Sequence, residues 1–178
     1  MSNRYAAPII LVHWLTVLLI AALFAIGWSM VDLPRGPERH AAFSLHKSLG
    51  LTAALLLALR VALRMRLGAP PLPGTIPAWK RRAAQATHGT LYALLAVQPL
   101  SGYLSSSFSG YSTRWFGIPL PQWGREDHAL NQFFTDIHVG ASVALCVCIV
   151  IHVGGALTHV LSPGDGTFSR MLPRRVRR

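Results

Sequence analysis

Eight histidines stand in this sequence of 178 residues, and six of them, His13, His46, His88, His138, His152 and His159, lie within or at the ends of long apolar runs. A polar side chain in hydrocarbon is costly, and is kept either for function or for hydrogen bonding between helices. Depth helps to separate those uses. His138 and His152 are fourteen residues apart, which on one helix is about 21 Å along the axis and only about 40° around it. Both therefore face one side, one near each membrane surface. By position in their runs, His13 shares the depth of His152 and His46 the depth of His138. The set resolves into two pairs, each spanning two helices, which is how a bundle holds two haems with imidazole on both faces. His88 also lies at the level of His152 and competes with His13 as its partner; spacing alone does not separate them. Zinc or copper transport is the other use of such residues, but it calls for carboxylates, and Asp136, at a helix mouth, is the only acid near a run.

Charges near these levels add candidates. Arg60 is fourteen residues after His46, so it faces the bundle at the level of His13 and His152. There it either pairs with haem propionates through charge-assisted bonds or snorkels to lipid phosphate. Lys47, beside His46, is the cation placed to attract an anion. His159, seven residues beyond His152 on the same face, can donate to a propionate, carry protons at a quinone site, or simply end a helix in solvent. Gly50, Gly89, Gly140, Gly154 and Gly155 each lie within four residues of one of these histidines, leaving room for a flat macrocycle or serving ordinary small-residue packing. Cys146 and Cys148 project about 200° apart on a helix, and no covalent haem-attachment motif, disulfide framework or structural zinc site follows from them.

The elements that position these groups are set by hydropathy. The chain is 52% apolar and 13% charged, with a mean hydropathy of +0.40, too high for an ordinary soluble domain of this length. Four runs are long enough to cross a bilayer: about 9–30, 43–63, 83–104 and 133–158. The first is too long, and lacks the clean small-residue site, for a cleavable signal peptide. Pro99 and Gly102 in the third mark a kink or tight packing. Turn residues fill 32–40 and 68–77, and the long connection 105–132, polar with aromatics, suits a short helix or cap at the interface. The formal charge of +11 would suggest nucleic acid on a soluble protein; here it lies between apolar runs, and anionic lipid explains it better than nucleic acid. One face carries twelve basic residues, from Arg4, the stretch Arg60–Arg82 and the tail from Arg170, against Asp165; the other is balanced at five against five. By the positive-inside rule both termini are cytoplasmic. The expected fold is all-α, a single membrane domain over 1–178, with four helices bundled around two b-type haems in a bacterial inner membrane.

In order and spacing these residues resemble the bacterial cytochrome b561 family, small four-helix dihaem membrane cytochromes related to the cytochrome b subunits of hydrogenases and formate dehydrogenases. The resemblance covers nearly the whole chain: His13-Trp14-Leu15, His46-x-x-x-Gly50, Arg60-x-x-x-Arg64, His88-Gly89, Pro99-x-x-Gly102, His138 with His152, His159, and Arg170-Met171-Leu172-Pro173-Arg174. It implies that His13 and His152 bind the cytoplasmic haem and His46 and His138 the periplasmic one. His88 then falls near the cytoplasmic haem or a quinone pocket, with Arg64 and His159 as further candidates there. The family's short members are similar to stand-alone enzymes that take electrons from superoxide in the periplasm and pass them to ubiquinone, needing no protein partner. The alternative is an electron-relay and anchor subunit for a periplasmic dehydrogenase or hydrogenase. That class calls for an extra helix or a docking surface.

Overall fold

Proline stands at the start of three helices, where its fixed φ suits the first turn and its missing N–H leaves no bond unmade. Pro8 lies in the first turn of α1 (Ala7–Asp32), Pro37 opens α2 (Pro37–Leu67), and Pro77 precedes α3 (Ala78–Phe108). The fourth helix, α4 (His128–Leu161), is started instead by Asp127, whose Oδ1 accepts the Leu130 N–H at 3.0 Å, satisfying one of the donors that every helix start leaves open. Stops are equally local. Leu33 is held extended before Pro34, and Gly68, at φ 68, returns its N–H to the Arg64 carbonyl in the left-handed conformation that glycine adopts without penalty. The computed structural model describes residues 4–71, 76–161 and 167–172. The turn residues Pro73 and Gly74, the acid Asp165 and the basic tail from Arg174 lie outside the described residues.

All four expected runs are helical, and each helix extends beyond the run at both ends. The shortest has 26 residues, about 39 Å at 1.5 Å each, more than the roughly 30 Å of hydrocarbon it must cross. Only α1, α2 and α4 are apolar enough by composition to cross a membrane. The expected four-helix bundle is observed, with α3 lacking a stretch as apolar as those of the other three. Its polar residues serve the interior: Gln98 Nε2 donates to the His138 carbonyl at 3.1 Å, and the Ser105 and Thr135 hydroxyls lie 2.7 Å apart. The outward faces are apolar in the opposite sense to a soluble protein, with Leu18 67% and Val150 66% exposed, as expected where lipid is the solvent.

Packing makes two layers. α1 lies against α2 and α3 against α4, with α2 touching α3; α4 packs closely against neither α1 nor α2. A gap therefore runs between the α1/α2 layer and α4.

The two ends of the bundle differ. At the end that holds both termini, a single 3-10 turn (Phe168–Met171) is strapped to the start of the chain: Arg4 donates to the Ser169 and Leu172 carbonyls, and the Tyr5 N–H to the Arg170 carbonyl. Trp14 Nε1 donates to the Met171 carbonyl at 2.8 Å and Arg170, 6% exposed, to the Pro71 carbonyl at 2.7 Å. At the other end, the long connection forms neither the short helix nor a bare loop. It is a two-stranded antiparallel hairpin, β1 (Arg114–Trp115) and β2 (Ile118–Pro119), with Arg114 opposite Pro119 and Trp115 opposite Ile118. Its tip residues Phe116 and Gly117 have φ of 46° and 89°, the sign that a tight two-residue hairpin turn requires at both positions. Ser48 on α2 holds this tip: its Oγ accepts the Phe116 N–H at 3.0 Å and donates to the Ser44 carbonyl at 2.9 Å, with the Arg114 carbonyl farther off at 3.4 Å, while Trp115 Nε1 donates to Thr52 Oγ1.

Candidate functional site: two imidazole pairs across the interlayer gap

The fourteen-residue spacing on α4 becomes two levels inside the bundle. At the hairpin end the rings of His46 and His138 have centres 6.2 Å apart and planes at 82°. At the terminal end His13 and His152 repeat this almost unchanged, at 6.4 Å and 82°. Each pair crosses the gap from α4 to the other layer, and helices that barely meet by backbone meet through these rings.

That spacing has a chemical meaning. A metal–imidazole bond of about 2.0–2.1 Å, with the ligating nitrogen about 1.1 Å from its ring centre, puts two rings on opposite sides of one metal roughly 6.3 Å apart. Two imidazoles in direct contact would sit closer, and the third histidine does so: His88 on α3 has its ring 5.1 Å from that of His152, at 63°. Among the described residues, no group of three His, Cys, Asp or Glu side chains is arranged to hold a metal ion. Each pair would supply two imidazole ligands to a haem, whose own nitrogens would complete the coordination. Two buried ring nitrogens, Nδ1 of His13 and of His46, have no hydrogen-bond partner, although the Leu23 carbonyl lies beside the His46 ring. A Cβ added to Gly50, one turn after His46 and on its face, would meet nothing within 4 Å. The ring spacing at both levels and the unpartnered nitrogens of His13 and His46 fit a haem at each level.

His138 shows how its ring is aimed. Its Nδ1 donates to the Gln98 carbonyl at 2.9 Å, with Ser101 Oγ 3.3 Å from the same nitrogen, while the Gln98 amide donates back to the His138 carbonyl. Fixing the proton on Nδ1 leaves Nε2 unprotonated and free to bind a metal. The sequence reading did not single out Gln98; a glutamine in an apolar run is the signal that was available.

Arg60 lies where the spacing places it. It is half-buried on α2 and is an electrostatic neighbour of His13, His88 and His152. Its Nε donates to Tyr92 Oη at 3.2 Å and its guanidinium lies 5.6 Å from the centre of the Tyr92 ring. Tyr92, one turn beyond His88, is a second residue the sequence reading missed. Arg64 is exposed, stacked over Tyr5, and is an electrostatic neighbour of His88. Lys47 is half-buried beside His46, and His159 half-buried two turns beyond His152. The five glycines near the histidines all look onto open space, and two of them, Gly140 and Gly154, point about 200° away from the histidine two residues before; the glycines that touch the imidazoles are Gly27 and Gly102.

Fold and site together define a multi-pass helical membrane protein with imidazoles paired at two levels, an arrangement suited to a membrane cytochrome. Residues 4–174 match the family described as prokaryotic cytochrome b561, and the chain belongs to that family. It is 34% identical over 96% of its length to cytochrome b561 homolog 2 of Escherichia coli K12, covering 92% of that protein. It is 28% identical over 97% of its length to cytochrome b561 homolog 1 of the same organism, and 26% identical over 98% of its length to a probable superoxide oxidase, CybB, of Yersinia pestis. Each of these two is covered over 99% of its own length. Members of the family bind b-type haem and carry electrons in the membrane.

Proposed function

We propose that this protein is a superoxide:quinone oxidoreductase holding two b-type haems, one between His46 and His138 and one between His13 and His152. The observation that carries the reading is the pair of matched ring geometries, one at each end of the bundle and about 21 Å apart along α4. The basic excess in the sequence of the segments that lead to the terminal end supports a cytoplasmic side there and a periplasmic side at the hairpin end, in a bacterial inner membrane. Bound b-type haem supplies one-electron transfer at each level. Overall, two superoxide anions give two dioxygen molecules and two electrons, which with two protons reduce one ubiquinone to ubiquinol. The name of the Yersinia pestis relative supports the choice of donor.

The chain's own groups have distinct tasks in this scheme. His46 and His138 lie within a few residues of the periplasmic surface, where a small anion approaches without entering hydrocarbon, and Lys47 supplies local positive charge. Arg60, held by Tyr92, places a cation beside the cytoplasmic ligands. His88, Arg64 and His159 are the groups near that level able to hold a quinone and pass it protons. Stopped-flow absorbance at the haem bands tests the reading. Superoxide is expected to reduce the oxidised protein rapidly and ubiquinone to reoxidise it, with Lys47→Glu and raised ionic strength both slowing reduction. Reduction no faster than in a control containing superoxide dismutase sinks the enzyme and leaves the relay subunit in its place.

A further inference from the structure

Fourteen residues separate the two levels on every helix: His13 and Gly27 on α1, His46 and Arg60 on α2, His88 and Gly102 on α3, His138 and His152 on α4. The hairpin-end level thus holds two imidazoles and two glycines, each glycine on the helix packed against the one that bears the imidazole. A Cβ built on Gly102 would stand 3.1 Å from both Cε1 and Nδ1 of His138, and one built on Gly27 would stand 3.1 Å from Cε1 of His46. Ordinary carbon contacts lie at about 3.5–4.0 Å, so each glycine is a place where a ring lies against the neighbouring backbone. At the terminal-end level the helices packed against those bearing His13 and His152, α2 and α3, carry Arg60 and His88 instead, so among the described residues only the hairpin-end pair has glycine seats.

We propose that Gly102 and Gly27 are positioning residues, seats that let His138 and His46 lie against the adjoining helix and so fix the angle between the two rings. This rests on the reading that the pair holds a haem. The two seats are unequal. The His138 ring passes over Gly102 to reach the Gln98 carbonyl one turn back, so a methyl group at Gly102 drives the ring off its hydrogen bond. The His46 ring lies beside the corresponding carbonyl, that of Leu23, without completing a hydrogen bond to it, so it is held less firmly against a methyl group at Gly27.

The angle between ligand planes governs how the iron d orbitals split, so the low-spin ferric EPR signal of each haem reports it directly. In the purified haem-loaded protein, Gly102→Ala is expected to shift or broaden the signal of the haem that His138→Ala removes, and to leave the signal of the other in place. Gly27→Ala is expected to shift the same signal less. No movement in either variant, or equal movement in both haems, overturns the proposal. A His138→Ala protein that keeps both haems instead overturns the haem reading itself, independently of the glycines. Should Gly102→Ala not accumulate in membranes, the double variant with His138→Ala decides. Accumulation matching His138→Ala alone shows that the methyl group acts through the ring, whereas failure of the double variant as well shows that Gly102 serves helix packing only.

Discussion

Among single residues, Arg60 is the one whose charge reaches furthest into the site. It is half-buried, held by the Tyr92 hydroxyl, and neighbours all three terminal-end histidines. A fixed cation favours the less positive, reduced iron, so Arg60→Ala is expected to lower the midpoint potential of the terminal-end haem. The size is on the order of 1 kcal/mol, or roughly 40 mV for a one-electron couple, at the effective dielectric of protein interiors. Tyr92→Phe keeps the charge but releases the guanidinium, and is expected to give a smaller shift of the same sign. Optical redox titration reads both; equal shifts in the two haems would place Arg60 outside this level. The depth of Arg60 was legible from its distance to His46, because helical rise and turn per residue are fixed. Its holder was not: Tyr92 reads as one more aromatic in an apolar run, and Gln98 as a polar exception, until α3 is set beside its neighbours.

Between helices, the sequence exposed lengths but not neighbours. The four runs followed from hydropathy, and Asp127 and Pro37 are start signals of known kind. That α4 stands off from α1 and α2, leaving room between them, is a property of three helices together and has no local mark. The hairpin was hidden for a different reason. Its turn uses Phe116 at φ 46°, where sequence rules expect glycine, asparagine or aspartate. A bulky residue there is strained by about 1–2 kcal/mol, a cost offset by the bonds from Ser48 and Thr52. Ser48, 2% exposed, accepts the Phe116 N–H at the hairpin tip while its own hydrogen stays on the Ser44 carbonyl. Ser48→Ala is therefore expected to loosen the hairpin by about 1–3 kcal/mol, the penalty for leaving buried polar groups unpaired. Amide hydrogen exchange checks this: the Phe116 N–H is expected to lose protection while the helices keep theirs. Unchanged protection at Phe116 would mean that the hairpin is held from elsewhere.

Across the whole molecule, the two levels make a repeated plan with one ambiguity, since three histidines compete at the terminal end for two ligand positions. Position within the apolar runs put His13 and His88 at one depth and could not choose between them, because depth says nothing about the direction from which each ring meets His152. The family resemblance favoured His13, and the ring geometry supplies a physical reason. His13 and His152 repeat the hairpin-end pair in both separation and angle, at 6.4 Å and 82° against 6.2 Å and 82°, whereas His88 at 5.1 Å leaves too little room for a metal between opposed nitrogens. His88 instead packs against His152, with Arg60 an electrostatic neighbour from α2, and the two bring a third imidazole and a guanidinium to this level. The expectation is therefore specific. A pyridine haemochrome assay is expected to find two haems per chain in the unmutated protein and in His88→Ala, and one in His13→Ala, His46→Ala, His138→Ala or His152→Ala. The haem surviving His13→Ala is expected to match in spectrum the one surviving His152→Ala, because each substitution empties the same level. Were His88→Ala to lose a haem while His13→Ala kept both, the ligand at this level would come from α3, and α4 would then hold its terminal-end haem against its own layer rather than across the gap.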